Sequence, residues 1–179
     1  MKYTTKRVVV ALLAIVLLSA GVFSGARAQT PALSDEQLAR IRTNCVTAKN
    51  TLNQLHASDG LLRVNRGQIY DSMSTKLMVR FNSRADANRY DVKDLTSVTQ
   101  TYNTTLTAFR ADYQSYEEKL SEALKIDCVG EPSQFYYAVA DARTKRTQVH
   151  TDVVKLHQYI DDYRAAFETF QQAFDGGTN

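Results

Sequence analysis

The stretch FYYAVADARTKRTQVHTDVVKLHQYIDDYRAAFETFQQAF, Phe135 to Phe174, decides the fold. Its apolar row reads Phe135, Val139, Ala142, Arg146, Val149, Val153, Leu156, Ile160, Tyr163, Phe167, Phe170 and Phe174. The spacing alternates between four and three residues without a slip. A strand would alternate every two residues, so this row predicts one long amphipathic helix. Pro132 suits its first turn, and the segment DGGTN ends it. Arg146 is the one charged residue in an otherwise apolar row.

Two more runs of the same kind precede it. The first starts at SDEQ, where Ser34 and Gln37 have the spacing of a capping box. Its row is Leu38, Ile41, Cys45, Ala48, Leu52, Leu55, Asp59, Leu62, Arg66, Ile69, Met73 and Leu77. The second spans about Asp91 to Lys125, with Leu95, Val98, Tyr102, Leu106, Phe109, Tyr113, Tyr116, Leu120 and Ala123 on one face. Its threonine-rich part, TSVTQTYNTTLT, has low helix propensity. That part runs without a break into FRADYQSYEEKLSEAL, so helix is the reading, with tertiary packing as its support. Helices of this length extend about 50–70 Å at 1.5 Å per residue. Short connections make neighbours antiparallel. The expectation is an all-α fold, an elongated, coiled-coil-like up-down-up three-helix bundle over residues 34–174, with a flexible tail at 175–179.

The N-terminus carries an export pattern. Lys2, Lys6 and Arg7 precede the uncharged apolar run Val8–Phe23, and Ala26-Arg27-Ala28 follows. A basic start, an apolar middle and a small-x-small end mark a secretory signal over residues 1–28, with 29–33 as linker. The apolar run is near the lower length for spanning a bilayer, so an uncleaved membrane anchor is the alternative. Removing the four basic residues of this segment from the total of 22 leaves 18 Lys and Arg against 19 Asp and Glu. A near-neutral domain has no electrostatic footprint for nucleic acid. An extracytoplasmic setting follows, secreted or at the cell surface, with membrane contact only through an uncleaved N-terminal segment.

The mature chain has two cysteines, Cys45 and Cys128, and export favours a disulfide between them. In an antiparallel pair of helices, residues at one height have a constant index sum. For the cysteines it is 173, which centres the hairpin at 86.5, inside NSRADANR. The next turn centres near residue 130, so the first and third helices are level at an offset of 87. That offset sets Asp59 beside Arg146, two polar intrusions of opposite charge. Burying either alone is expensive; together they form a buried polar layer that fixes register. Arg143 lies one turn away and competes for Asp59, while Arg63 and Arg66 have no such partner and extend toward the bundle edge. The alternative is a ligand site, with Asp59, Arg63, Arg66, Arg143 and Arg146 forming a central anion pocket.

Catalytic and metal signatures are missing from the sequence. His150 and His157 are about 10.5 Å apart along one helix, too far to share a metal, and His56 has no Glu-x-x-His companion. No Cys-x-x-Cys, phosphate loop or nucleophile elbow occurs. No cofactor and no enzyme activity are expected. Glu117-Glu118 reads as a solvated face. Around the first turn, Arg80, Arg84, Arg89 and Lys93, with Lys76, make a cationic tip level with Phe167, Phe170 and Phe174. It is read either as an interaction tip or as a plain helix end, where cations suit the C-terminus and the phenylalanines close the core.

The segments SDGLLRVNRGQIYDSMSTKLM, IDC, FYYAVADARTKR and VHTDVVKLH, taken together, resemble a family of exported helical proteins from ultrasmall, episymbiotic, Saccharibacteria-like bacteria. The resemblance spans most of the mature chain. It implies a secreted or cell-surface setting and supplies no catalytic residues. The expected function is that of a non-enzymatic exported bundle, a spacer or interaction module facing a protein or envelope partner.

Overall fold

A computed structural model describes residues 32–176. The expected signal or anchor segment 1–28, the first part of the linker and residues 177–179 of the expected tail lie outside the described residues. All regular structure within them is helical: α1 (Asp35–Thr43), α2 (Cys45–Ser72), a π-helical segment (Met73–Met78), α3 (Val79–Ala87), α4 (Lys93–Lys125) and α5 (Pro132–Gly176). No strand occurs among the described residues. None of their helices is long and apolar enough to cross a membrane.

Local chemistry explains where these elements begin and end. Ser34 and Gln37 form the reciprocal capping box at the start of α1. Asn44 then interrupts the expected continuous first helix. Its side-chain amide donates to the Arg40 carbonyl at 2.9 Å, and such local bonds compete with the helical ladder. In the threonine-rich part of α4, Thr99, Thr101, Thr104 and Thr107 each donate to the carbonyl four residues back, at 2.8–3.2 Å. Their hydroxyls are satisfied without leaving the helix.

The turn after α3 lies at Asn88–Val92, a few residues beyond the expected centre. Arg89 takes φ 65°. Its N–H bonds to the Asp86 carbonyl, and the N–H of Tyr90 reaches back to Ala85. This is a Schellman ending with arginine in the left-handed position that glycine usually fills. At the other end, α5 runs on through Asp175 and Gly176, where a flexible tail was expected from residue 175; no proline stops it.

Three apolar clusters follow one another along the molecule. Cys45, Cys128 and Phe135 form the first, Tyr113, Tyr116, Leu120 and Ala142 the second, and Tyr70, Met78, Leu95, Tyr102, Leu156 and Tyr163 belong to the third and largest. The Cys45–Cys128 disulfide, Cα atoms 5.6 Å apart, closes a sequence separation of 83 residues. A loop of that length stabilises by roughly 4–5 kcal/mol in the chain-entropy model, as an upper value.

The heptad row expected for the first helix holds only as far as Asp59. Leu62, Ile69 and Leu77 are exposed, Ile69 by 58 %. Tyr70, Ser74, Met78, Asn82 and Ala85 are buried in their place. A straight α-helix of 3.6 residues per turn drifts against a seven-residue repeat, whereas the eleven residues from Asp59 to Tyr70 fit three turns closely. The π segment then widens the turn and keeps Ser74, Met78 and Asn82 inward at four-residue spacing. Phe174, expected in the core, is exposed and lies against Tyr90, ring centroids 5.3 Å apart.

Candidate functional site

α2, α4 and α5 meet at Asp59. Arg146 donates to its carboxylate through Nε at 2.8 Å and Nη2 at 3.3 Å, and the Tyr116 hydroxyl donates at 2.8 Å. Burial alone would raise the Asp59 carboxyl. Those hydrogen bonds, with the positive charges of Arg146 and His56, outweigh burial and hold it below its ordinary value. The same contacts raise Arg146. Burial, reinforced by the neighbouring carboxylates, keeps the Tyr113 and Tyr116 hydroxyls protonated well above their usual range.

The pair is not sealed as the sequence implied. The Asp59 side chain is 10 % exposed but that of Arg146 is 50 % exposed. Arg146 has a stem long enough to place its guanidinium on the carboxylate from the rim, so the carboxylate is the buried partner. Arg143 stays on the exposed face and leaves Asp59 to Arg146. Arg63, also exposed, sets its guanidinium over the Tyr113 ring, 5.0 Å from the centroid, a cation–π contact. Arg66 is exposed on the cavity wall.

A second carboxylate belongs to this layer. Glu117 accepts from the Tyr113 hydroxyl at 2.9 Å, and its other oxygen lies 3.0 Å from His56 Nε2. It is a partly buried member of the layer, not the solvated face that its neighbour Glu118 suggested. His56 and Glu117 share the index sum of the cysteines, 173, so the register that located the disulfide could have paired them. Further along, the Tyr70 hydroxyl lies 3.0 Å from His157 Nε2 at the same 87-residue offset as Asp59 and Arg146.

Above the layer lies a cavity of about 220 Å³. Leu62, Phe109, Tyr113, Tyr116, Val149 and Val153 supply its apolar surface. Asp59, Arg63, Arg66, Arg146 and His150 are its polar wall. No group of three His, Cys, Asp or Glu side chains placed to hold a metal ion occurs among the described residues.

At the tip, Arg80, Arg84, Arg89 and Lys93 are exposed. Asp86, Asp91 and Asp94 are interleaved with them, and Lys93 Nζ lies 3.6 Å from Asp91. The surface there is mixed in charge. Beneath it Phe81 packs edge-on against Phe167 and Phe170, centroids 5.0 and 5.3 Å apart. No protein-family model, no curated protein and no solved structure matches this chain, so the case for its function rests on its own residues.

Proposed function

We propose that this protein is an exported, non-enzymatic helical bundle of up-down-up form that acts as a spacer or interaction module at the cell surface or envelope. The observation that carries this reading is a 45-residue helix, α5, joined to the rest by a disulfide-closed hairpin. At 1.5 Å per residue α5 is about 67 Å long. Contacts at a constant offset are those of parallel helices, and Asp59–Arg146 and Tyr70–His157, between α2 and α5, share an offset of 87. A nearly constant index sum is that of antiparallel ones, and His56–Glu117 and Tyr70–Tyr102, between α2 and α4, share a sum near 173. The disulfide is consistent with an extracytoplasmic compartment, as are the basic, apolar N-terminus and the resemblance to exported helical proteins. The non-enzymatic part of this reading is supported by the engagement of the central groups: Asp59 is bound by Tyr116 and Arg146, Glu117 by Tyr113 and His56, and both tyrosine hydroxyls hold their protons.

Fractionation of intact cells combined with cross-linking and pull-down tests the proposal. It expects surface or secreted protein, cross-linked through helix faces or the tip, with Cys45 joined to Cys128. Cytoplasmic protein with free thiols would overturn it. A second reading, a ligand-binding bundle, is favoured by one observation: the central cavity joins an aromatic floor to a cationic wall.

A further inference from the structure

We infer that the cavity between α2, α4 and α5 takes a small organic anion with a flat apolar body, an aromatic carboxylate in its simplest form. This rests on the ligand-binding reading of the cavity and names the ligand class.

Charge comes first. The cavity wall contains one carboxylate, Asp59, which already accepts three hydrogen bonds from Arg146 and Tyr116. Among the described residues neither Arg63 nor Arg66 is paired with a carboxylate; Arg63 rests on the Tyr113 ring instead. The wall therefore has two positive charges beyond the Asp59–Arg146 pair. Guanidinium groups bind carboxylates through paired hydrogen bonds, a geometry that ammonium groups lack. A cationic ligand would meet Arg63 and Arg66 with no free carboxylate to receive it.

Shape and surface come second. The floor presents the Phe109, Tyr113 and Tyr116 rings, with Val149 and Val153 beside them. Aromatic rings gain from offset or edge contacts with other rings. The volume of about 220 Å³ equals the liquid share of roughly seven waters at about 30 Å³ each. That holds a six-membered ring bearing a short carboxylate arm and is too small for a large amphiphile. Pockets that bind small molecules combine an apolar lining with a few fixed polar groups in this way.

The test uses the chain purified with its disulfide intact and three probes at about millimolar concentration, a range suited to ligands of about ten non-hydrogen atoms. The probes are phenylacetate, phenylacetamide and phenethylamine, followed by ligand-observed NMR. Phenylacetate is expected to bind at least tenfold more tightly than its amide, and the amine least. Arg66→Gln, at an exposed position, should weaken phenylacetate at least fivefold and leave the melting temperature unchanged. Leu62→Trp, which fills the cavity from its exposed side, should abolish binding of both the acid and the amide. Equal binding of acid and amide would overturn the anion assignment and leave the ligand reading standing. Full affinity in Arg66→Gln would also overturn it. If none of the three binds, the ligand reading itself falls.

Discussion

Asp59 and Asp152 are both buried carboxylates set among apolar residues, and they have opposite surroundings. Asp59 accepts from Arg146 and Tyr116 and sits below its ordinary titration range. Asp152, only 2 % exposed, faces another acid, Asp112, across the α4–α5 contact. Its Oδ1 receives a long 3.4 Å bond from Gln148, and its Oδ2 has no partner among the described residues. Burial and the hydrogen bond and charge of Asp112 push its carboxyl up to about 6, against smaller opposing effects of Gln148 and Lys155. Protonation would remove the buried charge and give Asp152 a hydrogen to donate. One site offsets its buried charge with a cation and a hydroxyl; the other can shed its charge only by taking up a proton, which mildly acidic pH favours.

The largest loss is expected at Arg146. Arg146→Met strands the Asp59 carboxylate, which is the buried member, and should cost about 2–4 kcal/mol at neutral pH by chemical denaturation. Asp59→Ala should cost less, because a half-exposed arginine regains water. Combining Asp59→Leu with Arg146→Met should recover most of the loss. Equal costs for the two single variants, or strictly additive costs in the double, would mean that the pair does not work as a unit.

Asp152→Asn should change stability in the other direction. The amide mimics the protonated acid and donates to Asp112, giving about 2–3 kcal/mol of stabilisation at pH 7 and above. The gain should fade as pH falls from 6 toward 4. Folding takes up a proton in that window, so the stability of the unaltered protein rises as pH falls. Asp112→Asn should give the same pattern, since it removes the negative charge that raises Asp152. A flat pH profile between 4 and 7 in the unaltered protein would sink this account. Asp59 acts with the opposite sign: its contribution is complete above about pH 4 and is lost as pH falls through its depressed folded value. Stability should therefore peak between about pH 4 and 6.

The smallest effect expected is at Tyr116. Tyr116→Phe removes one of three donors to Asp59 and should cost about 1 kcal/mol. It should also raise the Asp59 carboxyl measurably by carbon-detected NMR titration. An unchanged titration would mean that Arg146 alone sets the site.

Much of this was legible in the sequence because α4 keeps its row and α5 keeps its own as far as Phe170. Leu95, Tyr102, Phe109, Tyr116 and Leu120 are buried as their spacing implied, and one offset of 87 relates Asp59 to Arg146 and Tyr70 to His157. Asp152 was missed because α5 packs against two neighbours and buries two rows. Val149 and Val153 face the cavity, while Asp152, four residues before Leu156, lies in the row toward α4. Glu117 was missed because two adjacent glutamates look like a solvated face, although its index matched His56. The π segment leaves no mark in MSTKLM, which has neither proline nor glycine. The shift from Leu77 to Met78 is a choice made by packing.

The disulfide also determines how the molecule would respond to mechanical tension. Cys45 and Cys128 enclose α2, the π segment, α3 and α4 in one covalent ring. A pull between Leu33 and Gly176 runs through α1, crosses the sulfur bridge and continues along α5. The residues of the ring, including Asp59 and its cavity floor, are spared from stretching even after they separate from α5. Reduction would release that hidden length, about 290 Å for 83 residues at roughly 3.5 Å each. In an oxidising compartment, then, a chain closed this way has a fixed maximum reach between Leu33 and Gly176, and its thiol chemistry sets that limit.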